Sequence, residues 1–270
     1  MSSDTLVSTL QDSRERRRLR LDRRRVAALG TLAGVAALWW SATHLGWVDT
    51  LFLPSPEQLL VALQGLLAEG YLDASLWQHL GTSLLRVLAA LLAAVLTAVP
   101  LGIAMGLNPT LNAALDPLVE FYRPIPPLAY LPLMVIWFGI GELSKVLLIY
   151  LALFAPLLIA TVGGVRRVDR ARLQAVRCLG ASRGQVVRHV ILPSALSDIL
   201  TGLRIALGVG WSTLVAAELI AANRGLGFMV QSAAQFMATD VVVGILLIAS
   251  IALSIELGLR ALQRRYAGWR

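Results

Sequence analysis

The stretch Gln174-Ala175-Val176-Arg177-Cys178-Leu179-Gly180, followed after nine residues by Val190-Ile191-Leu192-Pro193, is a polar, arginine-rich interruption between two long apolar runs. Its capping pattern predicts two short helices. Asp169 is placed to cap the first, which stops at Gly180, a residue type suited to the left-handed turn that follows a helix. Ser182-Arg183-Gly184-Gln185 has the pattern of a capping box, so a second helix restarts at once, and Pro193 is expected to end it. Residues 166–193 therefore read as a helical hairpin bent at Gly180-Ala181 and carrying seven arginines. Such a knob, held at a membrane surface, suits insertion into a partner's cleft. The plainer alternative is a solvated basic loop.

The rest of the chain is largely apolar. Of 270 residues, 57% are hydrophobic, and the mean hydropathy is +0.71, whereas soluble domains average about 45–50% apolar residues. The excess falls into runs that predict an all-α, polytopic membrane protein with six transmembrane helices. The spans are read at about 26–45, 83–107, 127–140, 145–165, 199–222 and 241–259. The first is taken as an uncleaved span, with Trp39, Trp40 and Trp47 near an interface. Ser55-Pro56-Glu57-Gln58 opens a short amphipathic helix that Gly70 stops. Residues 108–123 are expected to be a connecting loop, and the prolines at 124, 126 and 127 predict an irregular start to the third span. Gly102 and Gly106, and again Gly202, Ala206 and Gly210, have the four-residue spacing of close helix contacts.

Charge placement predicts orientation. Six spans put both termini on one side. Twenty arginines fall in segments assigned to that side, and only Lys145 and Arg224 fall on the other. The bias predicts cytosolic termini. The organisation is then a basic cytosolic segment 1–25, a transmembrane domain 26–262 with its cytosolic loop 166–193, and a cytosolic tail 263–270. The net charge of +8 is spent on span ends and makes no basic stripe interleaved with aromatics, which argues against nucleic-acid binding. One cysteine permits no intrachain disulfide, and three scattered histidines offer no metal site. The only lysine, Lys145, is followed by Val146, so the chain has no nucleotide-binding P-loop. With no nucleophile elbow or paired carboxylates either, it reads as no enzyme.

Charges inside spans need partners or a purpose. Arg86 and Glu218 share one leaflet, and Arg204 and Glu256 the other; Glu256 could equally pair with Arg260. Arg86, Arg204, Trp211, Ser212, Thr213 and Glu218 are candidates for a translocation path. The alternative for the charged ones is helix pairing or snorkelling, and for Trp211 simple packing.

The hairpin resembles the EAA loop of bacterial ABC-importer permeases: Glu-Ala-Ala, three residues, Gly, nine residues, Ile, one residue, Leu-Pro. Ala175, Gly180, Leu192 and Pro193 match, while Gln174, Val176 and Val190 depart from the pattern. The likeness extends over about 35–265. The run Tyr122-Arg123-Pro124-Ile125-Pro126-Pro127 through Gly141, the run Gly208–Ile220, and Leu226-Gly227-Phe228-Met229-Val230-Gln231-Ser232 are similar to the sulfonate, nitrate and taurine branch of that family. The resemblance implies a type I importer permease fold in a homodimer. Two cytosolic ATPase subunits would use ATP and magnesium, which this chain does not bind. A periplasmic binding protein would deliver taurine, or else another alkanesulfonate or nitrate, across the bacterial inner membrane. ATP-driven closure of the ATPase pair would turn the dimer outward, and hydrolysis would reset it. Gln174, Ala175, Gly180, Ala181, Ser182, Arg183, Leu192 and Pro193 would form the coupling surface. An ion-coupled carrier or a membrane assembly factor is the reading from another class. The first would favour a mid-membrane acid or histidine relay, and the second would tolerate substitution at Gly180 and Pro193.

Overall fold

The computed structural model describes residues 26–27, 29–50, 52–235 and 238–267, and those residues are mostly helical, with no β-strand among them. The expected basic segment 1–25 and the final residues 268–270 lie outside them. The chain divides into two compact units, Met1–Val61 and Ala62–Arg270.

In the first unit, helix α1 (29–44) carries the apolar first span. Two indoles at its end meet polar groups of the next segment. The Trp39 Nε1–H donates to the Pro54 carbonyl (3.1 Å), and the Trp40 Nε1–H donates to Glu57 Oε1 (3.1 Å). Helix α2 (Pro56–Ala68) opens as its residues dictate: Ser55 and Gln58 exchange backbone and side-chain hydrogen bonds at 3.0 and 3.3 Å. Its own backbone N–H and the Ser55 hydroxyl hold the Glu57 carboxyl below the usual carboxylate range.

Among the described residues of the second unit, four helical stretches are long and apolar enough to cross a membrane: Leu76–Leu107, Glu142–Arg166, Arg183–Ile220 and Ala238–Arg265. Helix α3 (Leu76–Leu107) starts earlier than the apolar run suggests, because Ser75 and Gln78 form a capping box. Along it Ala90, Ala94, Ala98 and Gly102 form a buried ladder of small residues. A Cβ at Gly102 would fall 2.7 Å from the Thr161 Cβ, and one at Gly106 2.7 Å from the Val165 Cβ. Small residues at this spacing let α3 lie close against helix α6 (Glu142–Arg166). The opposite stripe of α3, with Leu85, Leu88, Leu92 and Leu96, is exposed, as a membrane helix facing lipid or another subunit should be.

Four segments depart from expectation. Residues 109–122, expected as a loop, form helix α4 (Pro109–Tyr122). Asn108 accepts from the Thr110 and Leu111 N–H groups at 3.0 and 3.2 Å, and Pro109 occupies the first helical position. The third apolar run is not one long helix. It is a 3₁₀ turn (Pro127–Tyr130) leading into helix α5 (Leu131–Phe138), which together reach only about 20 Å, short of a ~30 Å hydrocarbon core. Gly139, with φ +76°, turns the chain into α6.

After helix α7 (Arg170–Cys178) and helix α8 (Arg183–Val186), a π turn (Val187–Ile191) leads directly into helix α9 (Leu192–Ala221). Pro193 thus stands in the first turn of α9 and does not stop the hairpin's second helix. It has no N–H for the carbonyl four residues back, and the wider π turn just before it absorbs the mismatch, with Leu192 N–H bonding to Val187 O. On the other side α9 packs against α6: Gly202 sits on Ala160, Ala206 is fully buried, and a Cβ at Gly210 would meet Leu153. The segment expected to be a loop after α9 contains helix α10 (Leu226–Ala233), followed by helix α11 (Ala238–Ala267). Helix α6 is the central element of this unit, with α3 and α9 on either side. Leu153, Leu157 and Leu158 are fully buried at its centre.

Candidate functional site

The hairpin is built as its caps dictate. Asp169 accepts from the Ala171 N–H at 2.9 Å, Gly180 adopts φ +80°, and Ser182 and Gln185 exchange hydrogen bonds at 2.8 and 3.4 Å. Leu173, Val176 and Ala181 are half-buried and pack against the apolar core, while Val186 is buried in it. Gln174, Ala175, Gly180, Ser182, Arg183, Leu192 and Pro193 are exposed. At the bend stands Leu179, 86% exposed, an apolar tip amid cations that the sequence pattern does not single out.

This elbow is joined to the membrane part without a break. Arg183–Ile220 is one continuous helical stretch of 38 residues, about 57 Å at helical rise. Side chains anchored by Leu173 and Val186 at one end and a buried charge network at the other make it a lever with few ways to move.

That network encloses Glu218, which is fully buried. Its carboxylate accepts from the Ser83 hydroxyl at 2.8 and 3.0 Å, from Arg86 Nη1 at 2.6 Å and from the Gly227 N–H at 2.8 Å. Arg86, 3% exposed, also donates from Nε and Nη2 to Glu142, both at 2.6 Å, and from Nη1 to the Arg224 carbonyl at 2.8 Å. Lys145 Nζ donates to Glu142 at 2.8 Å. Two cations and two carboxylates therefore balance. The Leu226 N–H donates to Ser83, and the Gly225 N–H donates to His79 Nδ1 at 3.1 Å. That acceptor role leaves the His79 proton on Nε2, where it is donated to the Tyr71 carbonyl at 3.2 Å. Gly225 needs its φ of +130°, and a Cβ there would lie 2.5 Å from the Glu218 oxygens. The sequence foresees the shared leaflet of Arg86 and Glu218. It hides Glu142, which looks like part of a tight turn but begins α6.

The second intramembrane arginine is also paired. Arg204 donates to Glu256 at 2.5 Å and to Gln263 at 3.0 Å, and Arg260 joins the same carboxylate at 2.8 Å. Trp211 is 9% exposed and Thr213 is 4% exposed, both facing the protein interior. The Trp211 Nε1–H finds no partner among the described residues, and Trp211 borders a cavity of about 510 Å³ between α9 and α11 together with Arg204 and Glu256. Ser212 is exposed, its hydroxyl bonded to the Gly208 carbonyl at 3.1 Å. The candidates thus separate into four places: Arg86 with Glu218, Arg204 with Trp211, Ser212 on the open face of α9, and Thr213 in the interior with its hydroxyl on the Val209 carbonyl at 2.9 Å.

The comparisons agree on one family. Residues 98–268 match the family described as binding-protein-dependent transport system inner membrane component. The chain is 59% identical over 251 residues to the taurine transport system permease protein TauC of Escherichia coli (strain K12), covering 92% of this chain and 91% of that one. It is 41% identical over 246 residues to the putative aliphatic sulfonates transport permease protein SsuC of the same organism, covering 91% and 92%. It is 33% identical to the bicarbonate transport system permease protein CmpB of Synechococcus elongatus, with 87% of each chain covered. Among solved structures it is similar to an inward-facing MetNI methionine ABC transporter, with a TM-score of 0.61 and 18% identity over 68% of this chain and 93% of that one, a likeness of fold. The chain belongs to the binding-protein-dependent transport system inner membrane components, the membrane-embedded permease subunits of ABC importers, which transport and are not enzymes.

Proposed function

We propose that the chain is the permease subunit of a taurine importer and works as a homodimer in the bacterial inner membrane. The bent elbow at Gly180, continuous with α9, carries this reading. The elbow faces the cytosol, as its arginines favour, and two ATPase subunits grip it, one on each copy. Gln174, Ala175, Gly180, Ala181, Ser182, Arg183, Leu192 and Pro193 form or shape the gripped surface. ATP and magnesium are held by those subunits. A substrate-binding protein docks at the opposite end, where the Arg86–Glu218 network ties α3, α6, α9 and α10 together. Closing the ATPase pair moves the elbows, and α9 passes the motion along the membrane.

Taurine as cargo is supported by the identity to TauC over nearly the whole chain. The test is uptake of labelled taurine by a strain lacking its own taurine and sulfonate importers and given this permease with its ATPase and binding protein. Uptake that taurine suppresses and nitrate does not supports the reading. Uptake suppressed equally by longer alkanesulfonates widens the cargo. No uptake of any sulfonate overturns it.

A further inference from the structure

Three arginines lie along the membrane-embedded helices, and two are neutralised: Arg86 by Glu142 and Glu218, Arg204 by Glu256. The third, Arg123, follows α4. By sequence it falls in a loop outside the membrane, but in the structure it is exposed beside the middle of α6. The neighbouring Tyr122 hydroxyl donates to the Leu151 carbonyl, and Leu151 is well inside the 25-residue α6. Arg123 borders an open cavity of about 440 Å³ whose other walls include Leu151, Ala152 and Pro156 of α6 and Ile205 and Val209 of α9. All of these stand near the middle of their helices. No carboxylate lines the cavity, and no ion pair or side-chain hydrogen bond of Arg123 occurs among the described residues.

An unpaired guanidinium at mid-membrane depth is costly unless it has a use, and its planar fork suits an oxyanion. The same lining holds a second polar feature. Pro156 has no N–H, so the Ala152 carbonyl lacks its helical donor and keeps accepting capacity beside the cavity. Apart from Tyr122, the remaining walls are apolar. Ile205 and Val209 also belong to the open face of α9 that continues to Ser212.

We infer that Arg123 is the anion-binding residue of a mid-membrane subsite that takes the sulfonate group of the cargo in transit. This rests on the permease reading above and deepens it. A small sulfonate zwitterion fits the cavity by charge: its sulfonate meets Arg123, and its ammonium can donate to the freed Ala152 carbonyl. A passing ligand supplies the counter-charge that Arg123 otherwise lacks, and it leaves when that contact is outcompeted.

The test uses the whole transporter, with its ATPase and binding protein, in proteoliposomes. Arg123→Gln is expected to lower taurine uptake by about tenfold or more while ATP hydrolysis stimulated by the binding protein persists. Arg123→Lys keeps a measurable part of the uptake, because the charge remains. Val209→Trp fills the cavity from the opposite wall without touching the arginine, and is expected to lose uptake as well. It decides the matter if the glutamine variant does not assemble. Normal uptake by the assembled glutamine variant, or by Val209→Trp when the glutamine variant fails to assemble, overturns the subsite. Equal loss in the lysine and glutamine variants, with stimulated hydrolysis lost too, assigns Arg123 to folding and also overturns it. Failure of the unsubstituted transporter to move taurine would instead count against the permease reading.

Discussion

Single residues show how a buried charge is tolerated. Glu218 is surrounded by donors, and Arg86 has a second carboxylate in Glu142, so neither charge is left bare. Glu218→Ala removes the fully buried carboxylate and leaves Arg86 with the more exposed Glu142 as its charged partner beside the Arg224 carbonyl. A loss of about 3 kcal/mol is expected, since uncovering one member of a buried pair costs more than the pair contributes. Thermal unfolding in detergent measures it. Glu142→Gln, at a carboxylate 62% exposed, should cost well under half as much. The sequence makes the Arg86–Glu218 pairing thinkable from topology alone. It does not reveal the clasp of Gly225 and Gly227, because a glycine-rich loop gives no sign of which side chain it must admit. Arg123 is hidden for a related reason: Asp116, Glu120 and three prolines make 109–124 look like a surface loop. Yet Asn108-Pro109 carries a readable helix start, a cap followed by proline at the first position.

The helices obey spacing where contact is close. Gly102 touches α6, whereas nothing lies within 4 Å of a Cβ at Gly81 on the same helix. Gly102→Leu is therefore expected to destabilise by roughly 1–3 kcal/mol through overpacking, while Gly81→Ala should be neutral or slightly stabilising. Melting curves of the two variants side by side distinguish packing from helix propensity. The small-residue ladders on α3 and α9 were legible because their period is that of the helix. The joint between α8 and α9 was not. Proline is as much at home in a first turn as after a last one, and only tertiary packing decides that the π turn carries the helix through Pro193. The elbow itself was legible in its caps, but Leu179 was not, since nothing in a sequence says that an apolar residue faces outward. Leu179→Asp should leave thermal stability within about 0.5 kcal/mol, as for an exposed site, and should weaken capture of the ATPase by about tenfold or more if the tip is a docking anchor. Co-purification of the two subunits reads both effects.

For the molecule as a whole, the elbow, the continuous stretch Arg183–Ile220 and the Glu218 network form one mechanical line through α9. Force applied at Gly180 has a short route to the far end, and the mid-membrane cavity lies along it. Gly180 stands at φ +80° with open space around its Cβ position, so a bulky residue there strains the backbone by about 1–2 kcal/mol without a clash. Gly180→Val should accordingly fold and still bind the ATPase, but turn over ATP with little transport. The most direct measurement of coupling is labelled taurine entering proteoliposomes that contain the purified permease, with and without its ATPase, ATP and binding protein. The account predicts accumulation only when all are present, and its collapse in Gly180→Val while hydrolysis continues. Taurine entering at the same rate through the permease alone would contradict it.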